Sequence, residues 1–314
     1  MKLTQIAAPD FDLEKTLDSG QVFHWDRLDN GFAGTIGQEP VYVEQRGDSL
    51  FVRGGGEEPV ANYFALDHPL AEICGSFPDD PVMNAARDFC RGLRIIRQPK
   101  WECLATFICS SMKQVTHIRQ ISRKLRERFG EEQKIDNYSV HTFPSAQRLA
   151  QSSEKELREC ALGYRAINLL GTARLVRSGE VDLEAWSALS DVDLQKRLCQ
   201  LPGVGAKVAN CVMLFAYERL RAFPIDVWIE RVLRERYFPR ARKLNAARLQ
   251  AFTQKYFGEQ GGYAQQYLFH YARMASRRRA IEVNRPYLPR NDEKGRGGSP
   301  NRPDAPARLS PPRA

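Results

Sequence analysis

Two side chains in this 314-residue chain could do chemistry together: Lys207 and Asp226. A lysine that loses solvation beside apolar neighbours can give up its proton and attack an electrophilic carbon. Lys207 follows Leu201-Pro202-Gly203-Val204-Gly205-Ala206, and Val204, Val208, Cys211, Val212 and Phe215 recur at helical spacing. That spacing predicts a helix from near Val204, with Lys207 one turn into it. Asp226 follows Phe223-Pro224-Ile225 and precedes the apolar-periodic stretch 227–233, so it reads first as a helix N-cap. The helix dipole and free amides favour the anion at such a position. A carboxylate there can stabilise a developing cation or collect a proton. Taken alone, Lys207 reads as a solvated phosphate contact.

The elements that must position this pair are a turn and two helix starts. Pro202-Gly203 is a turn signal between apolar periodic segments. Gly203 and Gly205 permit positive φ and a close backbone approach. The first amides of the following helix lack partners within it and suit a phosphate oxygen. The expectation is a helix-hairpin-helix that grips a nucleic-acid backbone. Non-enzymatic DNA-binding proteins use the same hairpin, so a binding module without chemistry stays open.

Leu201-Pro202-Gly203-Val204-Gly205-Ala206-Lys207-Val208-Ala209-Asn210-Cys211 followed by Phe223-Pro224-Ile225-Asp226-Val227-Trp228 resembles the helix-hairpin-helix, Gly-Pro-Asp superfamily of DNA glycosylases. Ser19-Gly20-Gln21-Val22-Phe23-His24-Trp25, Leu162-Gly163-Tyr164-Arg165 and Gly262–Phe269 narrow the likeness to the 8-oxoguanine DNA glycosylases, over residues 10–276. The resemblance implies an α+β fold, mainly helical, with an N-terminal antiparallel β-sheet domain. It implies excision of 8-oxoguanine from duplex DNA through a lysine Schiff base, followed by β-elimination at the abasic site. Lys207 becomes the nucleophile and Asp226 its electrostatic partner.

The same resemblance assigns the damaged base to Gly20, Gln265, Phe269 and Cys211. The Gly20 carbonyl would accept the N7 hydrogen that 8-oxoguanine has and guanine lacks. The Gln265 amide would meet the Watson–Crick edge, since it both donates and accepts. Without the family, Phe269 is a core residue and Ser19-Gly20 an ordinary turn. DNA contacts fall on Gly203, Val204 and Gly205 of the hairpin, on Tyr164 as a wedge, and on Arg165. A monovalent cation is conceivable at the backbone carbonyls of Cys199, Leu201 and Val204. The chain departs from the eukaryotic pattern at Met112, Lys113 and Gln114, where asparagines fill the gap beside the orphaned cytosine, and at His117, which aligns with an arginine. Met112 is an apolar wedge that cannot read a base edge. Relaxed selectivity for the opposite base is therefore expected. Relatives that remove alkylated purines by water attack lack the lysine, so Lys207 argues against that activity; Met112 and Trp228 keep it as the alternative.

Composition sets wider bounds. The net charge is +9 with a pI near 9.2, which fits a polyanionic partner; the resemblance, not the charge, implies that this partner is damaged duplex DNA. Residues 277–314 hold ten basic and four acidic residues, leaving only about +3 for the body. That tail also holds seven of the 18 prolines and reads as disordered and basic. The expected domains are 1–97, β-rich; 98–276, helical; and 277–314, tail. Strands are expected over 32–53, a buried helix over 101–109, and a helix carrying Ile118, Ile121, Leu125 and Phe129 inward. Arg119, Arg123, Lys124, Arg126 and Arg128 of that helix are expected on its solvated faces. The seven cysteines are odd in number with no Cys-x-x-Cys pair, which speaks against a disulfide scaffold or zinc site, and none follows Cys211 to hold an iron–sulfur cluster. No cofactor is needed for the expected reaction. No stretch is apolar enough to span a bilayer and no signal peptide is evident. A monomer inside the cell is expected, in the cytoplasm or nucleoid of a bacterium or the nucleus of a eukaryote.

Overall fold

The computed structural model describes residues 3–283 apart from Met112 and Arg242, with side chains described as far as Ser276. The wedge expected at Met112 and the tail from Asn284 onward lie outside the described residues. Residues Met1–Ser276 cluster as one compact unit.

The N-terminal part builds a five-stranded antiparallel sheet. Its strands are β1 (Thr4–Ala7), β2 (Asp26–Leu28), β3 (Gly31–Ile36), β4 (Glu39–Arg46) and β5 (Ser49–Arg53), in the order β1-β5-β4-β3-β2. Alternation works as the sequence suggests: Val41, Val43, Leu50 and Val52 all point into one core with Phe11, Trp25, Tyr63 and Phe64. The opposite face is also covered. Ala33 and Tyr42 pack against Ile135 of a hairpin, β6 (Glu132–Ile135) and β7 (Tyr138–His141), which the sequence reading missed. It missed β1 as well, since that strand pairs with β5 from across the chain, Thr4 opposite Val52.

In the chain α1 (Leu13–Asp18) lies between β1 and β2, and α2 (Glu57–Tyr63), α3 (Leu70–Gly75) and α4 (Pro81–Phe89) follow β5. At the centre lies α5 (Lys100–Cys109), whose residues from Glu102 to Cys109 are all buried. Phe107 of α5 stacks on Phe215 of α11 (Ala206–Ala216) with ring centroids 5.5 Å apart. Around it stand α6 (Val115–Phe129), α7 (Ala146–Ala150), α8 (Glu154–Leu157), α9 (Arg165–Ser178), α10 (Asp191–Cys199), α12 (Val227–Val232), α13 (Ala246–Tyr256) and α14 (Gly261–Val283). The last helix runs past Arg277, where the periodic pattern had been expected to stop.

One expected surface residue is internal. Ile118, Ile121, Leu125 and Phe129 do face the core, yet Arg126 is buried too. Its guanidinium pairs with Glu102 of α5 and donates to Thr35 Oγ1 (3.0 Å) and to the His141 carbonyl (2.9 Å). The cluster ties α5 and α6 to both sheets. Burial pushes the Glu102 carboxyl above its usual range although Arg126 pulls it down. Glu102→Ala would leave the guanidinium buried without its anion, at a cost of about 3–5 kcal/mol. Urea denaturation of the variant checks this, and a loss below about 1 kcal/mol would contradict it.

Candidate active site and nucleic-acid interface

The hairpin forms between α10 and α11. Gly203 has φ +77°, and a Cβ built on it would lie 2.8 Å from Asn168 Cβ of α9, so only glycine fits. Gly205 is the N-cap of α11 and makes no side-chain capping bond; it is exposed, with open space where a Cβ would stand. The helix thus begins at Ala206, two residues later than the periodicity alone suggested. Val204 is buried and donates its N–H to the Leu201 carbonyl (3.1 Å).

Lys207 leaves the first turn of α11 toward α5. Its Nζ donates to Ser110 Oγ (3.2 Å), and Ser110 Oγ donates on to the Phe107 carbonyl (2.7 Å). The ammonium also stands 5.3 Å from the centroid of the Phe107 ring. Asp226 caps α12 as its position suggested: Oδ1 accepts from the amides of Trp228 (3.0 Å) and Ile229 (2.9 Å).

The two charges feel one another. Burial is the largest influence on Asp226 and raises its carboxyl above the usual range; the Ile229 amide, the Lys207 charge and the Trp228 amide pull it back. Desolvation therefore outweighs the dipole effect expected from sequence. Cys211, one turn beyond Lys207, feels both charges. Burial pushes its thiol up to about 11, while Lys207 lowers it and Asp226 raises it. Amine, carboxylate and thiol share one site.

The base-directed residues gather on a second surface. Gly20 has φ +87°, and a Cβ there would come within 3.0 Å of Phe269 Cε1 of α14. Gln265, one turn before Phe269, is buried, and its Oε1 makes no hydrogen bond. A buried acceptor left open is costly unless a ligand completes it. Phe269 is buried, as the structural reading of a lone phenylalanine also had it.

The groups assigned to the DNA gap are mixed. Tyr164 is 54% exposed at the start of α9, presented by a sharp turn in which Ala161 has φ +66°. Lys113, Gln114 and His117 are exposed where α6 begins. Arg165 is buried instead: Nε donates to the Ser111 carbonyl (2.8 Å), Nη2 donates to the same oxygen, and Nη1 donates to the Leu162 carbonyl (3.2 Å). Its guanidinium lies 4.3 Å from the Tyr164 ring centroid. In this form Arg165 braces the loop after α5 and carries the Tyr164 ring.

Sequence reasoning overlooked three residues here. Ser110 carries no motif signal of its own, yet it holds the amine. Val227, beside Asp226, is 74% exposed, and Ile167 is exposed one turn from Tyr164. Apolar side chains left in solvent beside such groups are the available signal for the last two.

The chain matches the description "8-oxoguanine DNA glycosylase, N-terminal domain" over residues 4–104 and "HhH-GPD superfamily base excision DNA repair protein" over residues 105–256. It belongs to the 8-oxoguanine DNA glycosylase family. The N-glycosylase/DNA lyase OGG1 of Arabidopsis thaliana is 33% identical, over 86% of this chain and 78% of the relative. A probable N-glycosylase/DNA lyase of Methanothermobacter thermautotrophicus is 28% identical, over 86% of this chain and 96% of the relative. Among solved structures, the Clostridium acetobutylicum 8-oxoguanine glycosylase/lyase bound to duplex DNA with cytosine opposite 8-oxoguanine superposes with a TM-score of 0.81. Its sequence identity is 30%, covering 88% of this chain and all of that one. The α+β architecture of a glycosylase in this family, sheet first and hairpin body after, is the one found here.

Proposed function

We propose that this chain excises 8-oxoguanine from duplex DNA and cleaves the resulting abasic strand, with Lys207 as nucleophile. The observation that carries the reading is the shared site of Lys207, Asp226 and Cys211 directly behind an uncapped hairpin helix. Membership in a family whose named relatives are N-glycosylase/DNA lyases supports it.

The scissile bond lies inside a base stack, so the nucleotide must first be extruded. Open amides at the start of α11 anchor a backbone phosphate. Tyr164, with Ile167 beside it, fills the space the base leaves. The Gly20 carbonyl takes the N7 hydrogen of 8-oxoguanine, the open Gln265 Oε1 meets a donor on its Watson–Crick edge, and Phe269 and Cys211 take its faces. Lys207 then attacks C1′ in its free-amine form. The new N–C1′ bond forms as the C1′–N9 bond breaks, and the departing base takes a proton. Anionic Asp226 stabilises the positive charge that grows on the sugar. Opening of the sugar gives an iminium between Lys207 and C1′. Loss of a C2′ proton then expels the 3′ phosphate and nicks the strand.

The test is a panel of duplexes carrying 8-oxoguanine opposite each of the four bases, with alkylated purines alongside. The expected result is excision and nicking at 8-oxoguanine with similar rates opposite all four bases, since Lys113, Gln114 and His117 replace the residues that read cytosine. Strict dependence on cytosine would overturn the selectivity expectation. Excision of alkylpurines without strand cleavage would favour the alternative activity.

A further inference from the structure

The groups that test the base come from two distant segments. Gly20 sits on the turn after α1, whereas Gln265 and Phe269 sit on α14. A carbonyl can report on one hydrogen atom only if it is fixed, because a displacement near 1 Å can cost about a hundredfold in rate.

The turn is held on several sides. Ser19 Oγ donates to the Thr16 carbonyl (2.8 Å), and Gln21 Nε2 donates to the Arg94 carbonyl (2.8 Å). Arg119 of α6 pairs with the Asp18 carboxylate (2.6 Å). From α14 itself come two ties. Gln266 Nε2 donates to the Ser19 carbonyl (3.1 Å), and Arg273 Nη2 donates to the Asp18 carbonyl.

Arg273 does more than reach one oxygen. Its guanidinium carbon lies 5.5 Å from the centroid of the Phe269 ring, one turn back on the same helix face. Its Nη1 would stand 2.9 Å from a Cβ on Gly20. Its Nη2 also donates to His270 Nδ1 (3.3 Å). His270 is pushed down to about 4, first by burial and then by the Arg273 charge, so the imidazole is the neutral acceptor this contact needs. A planar fork with several donors can bond a carbonyl and an imidazole while covering a ring; an ammonium cannot do all three.

We propose that Arg273 is a positioning residue for lesion recognition, locking the Gly20 turn onto the face of α14 that carries Gln265 and Phe269. The proposal rests on the 8-oxoguanine reading above. Carbonyl, amide and ring then meet the extruded base as one preset surface. Arg273 acts on the Asp18 carbonyl, the Phe269 ring and His270, all on the base-testing side, so its removal should disturb base testing and spare the sugar chemistry.

Two substrates separate these effects: a duplex with 8-oxoguanine, and a duplex with a preformed abasic site that needs no base pocket. In single-turnover assays Arg273→Met should lower excision about tenfold or more, while nicking of the abasic duplex stays within about twofold. Arg273→Lys, which keeps the charge and the stem on Phe269, should show the same separation with a smaller loss of excision. It also carries the test if the methionine variant fails to fold. Unchanged excision in the folded variants, or a parallel fall in both activities, overturns the proposal alone. Wild-type protein that nicks abasic DNA yet leaves 8-oxoguanine in place overturns the functional reading, and the proposal with it.

Discussion

Lys207→Gln should abolish strand cleavage and lower base excision by about 10⁴-fold or more, while duplex binding stays within a few-fold. Glutamine keeps most of the length of the side chain and can still reach toward Ser110 and the Phe107 ring. It has no lone pair on an amine, so it forms neither the bond to C1′ nor the iminium that makes β-elimination possible. In the proposed reading the phosphate grip comes from backbone amides of the hairpin, which the substitution leaves alone. Single-turnover excision and fluorescence anisotropy at one fixed salt concentration measure the two quantities separately. A variant that binds a few-fold more weakly yet still excises and nicks would mean that Lys207 is a phosphate contact after all.

Asp226→Asn should slow excision by about 10²–10³-fold and leave the fold intact. Asparagine caps a helix about as well as aspartate, so the bonds from the Trp228 and Ile229 amides persist. What disappears is the negative charge that the proposed mechanism sets against the sugar. The pH dependence follows from the direction of the Asp226 shift. Its carboxyl holds its proton more tightly in the folded protein than an ordinary aspartate does, burial being the main cause. The active form is the anion, so wild-type excision should fall on acidification through a range above that of a free aspartate. This acid limb should vanish in the asparagine variant. Stability runs the other way. A raised folded-state value means that ionisation costs stability as pH rises through that range, and the cost is fully present at neutral pH. Asp226→Asn should therefore melt at the same temperature or higher at pH 7. A lower melting temperature, or an unchanged excision rate, would contradict the role given to this carboxylate.

What the chain revealed in advance was local. Pro202-Gly203 and the Asp226 cap are decided within a few residues, so the hairpin turn and the start of α12 were legible, while the start of α11 was read two residues early. The alternation of Val41, Val43, Leu50 and Val52 likewise announced the sheet. Features that depend on distant partners were hidden. Arg126 looks like any other cation on a basic helix until Glu102 and Thr35 are brought to it from 24 and 91 residues away. Ser110 holds Lys207 across 97 residues. β1 and the β6–β7 hairpin have four residues per strand, too short for a periodic signal. The raised Asp226 carboxyl could not be read in advance for the same reason: dipole and amides are local and readable, whereas the burial that outweighs them comes from the whole fold. Arg165, aligned with a base-reading arginine, turned inward because the Ser111 carbonyl lies within its reach.

The central claim is that the Lys207 amine becomes covalently joined to the sugar carbon. Sodium borohydride added during reaction with an 8-oxoguanine duplex would reduce the iminium to a stable secondary amine, and peptide mapping by mass spectrometry would locate it. The account predicts a trapped protein–DNA adduct whose modified peptide carries the sugar remnant on Lys207, and none with Lys207→Gln. An adduct on another residue, or excision that proceeds fully with no adduct trapped, would contradict it.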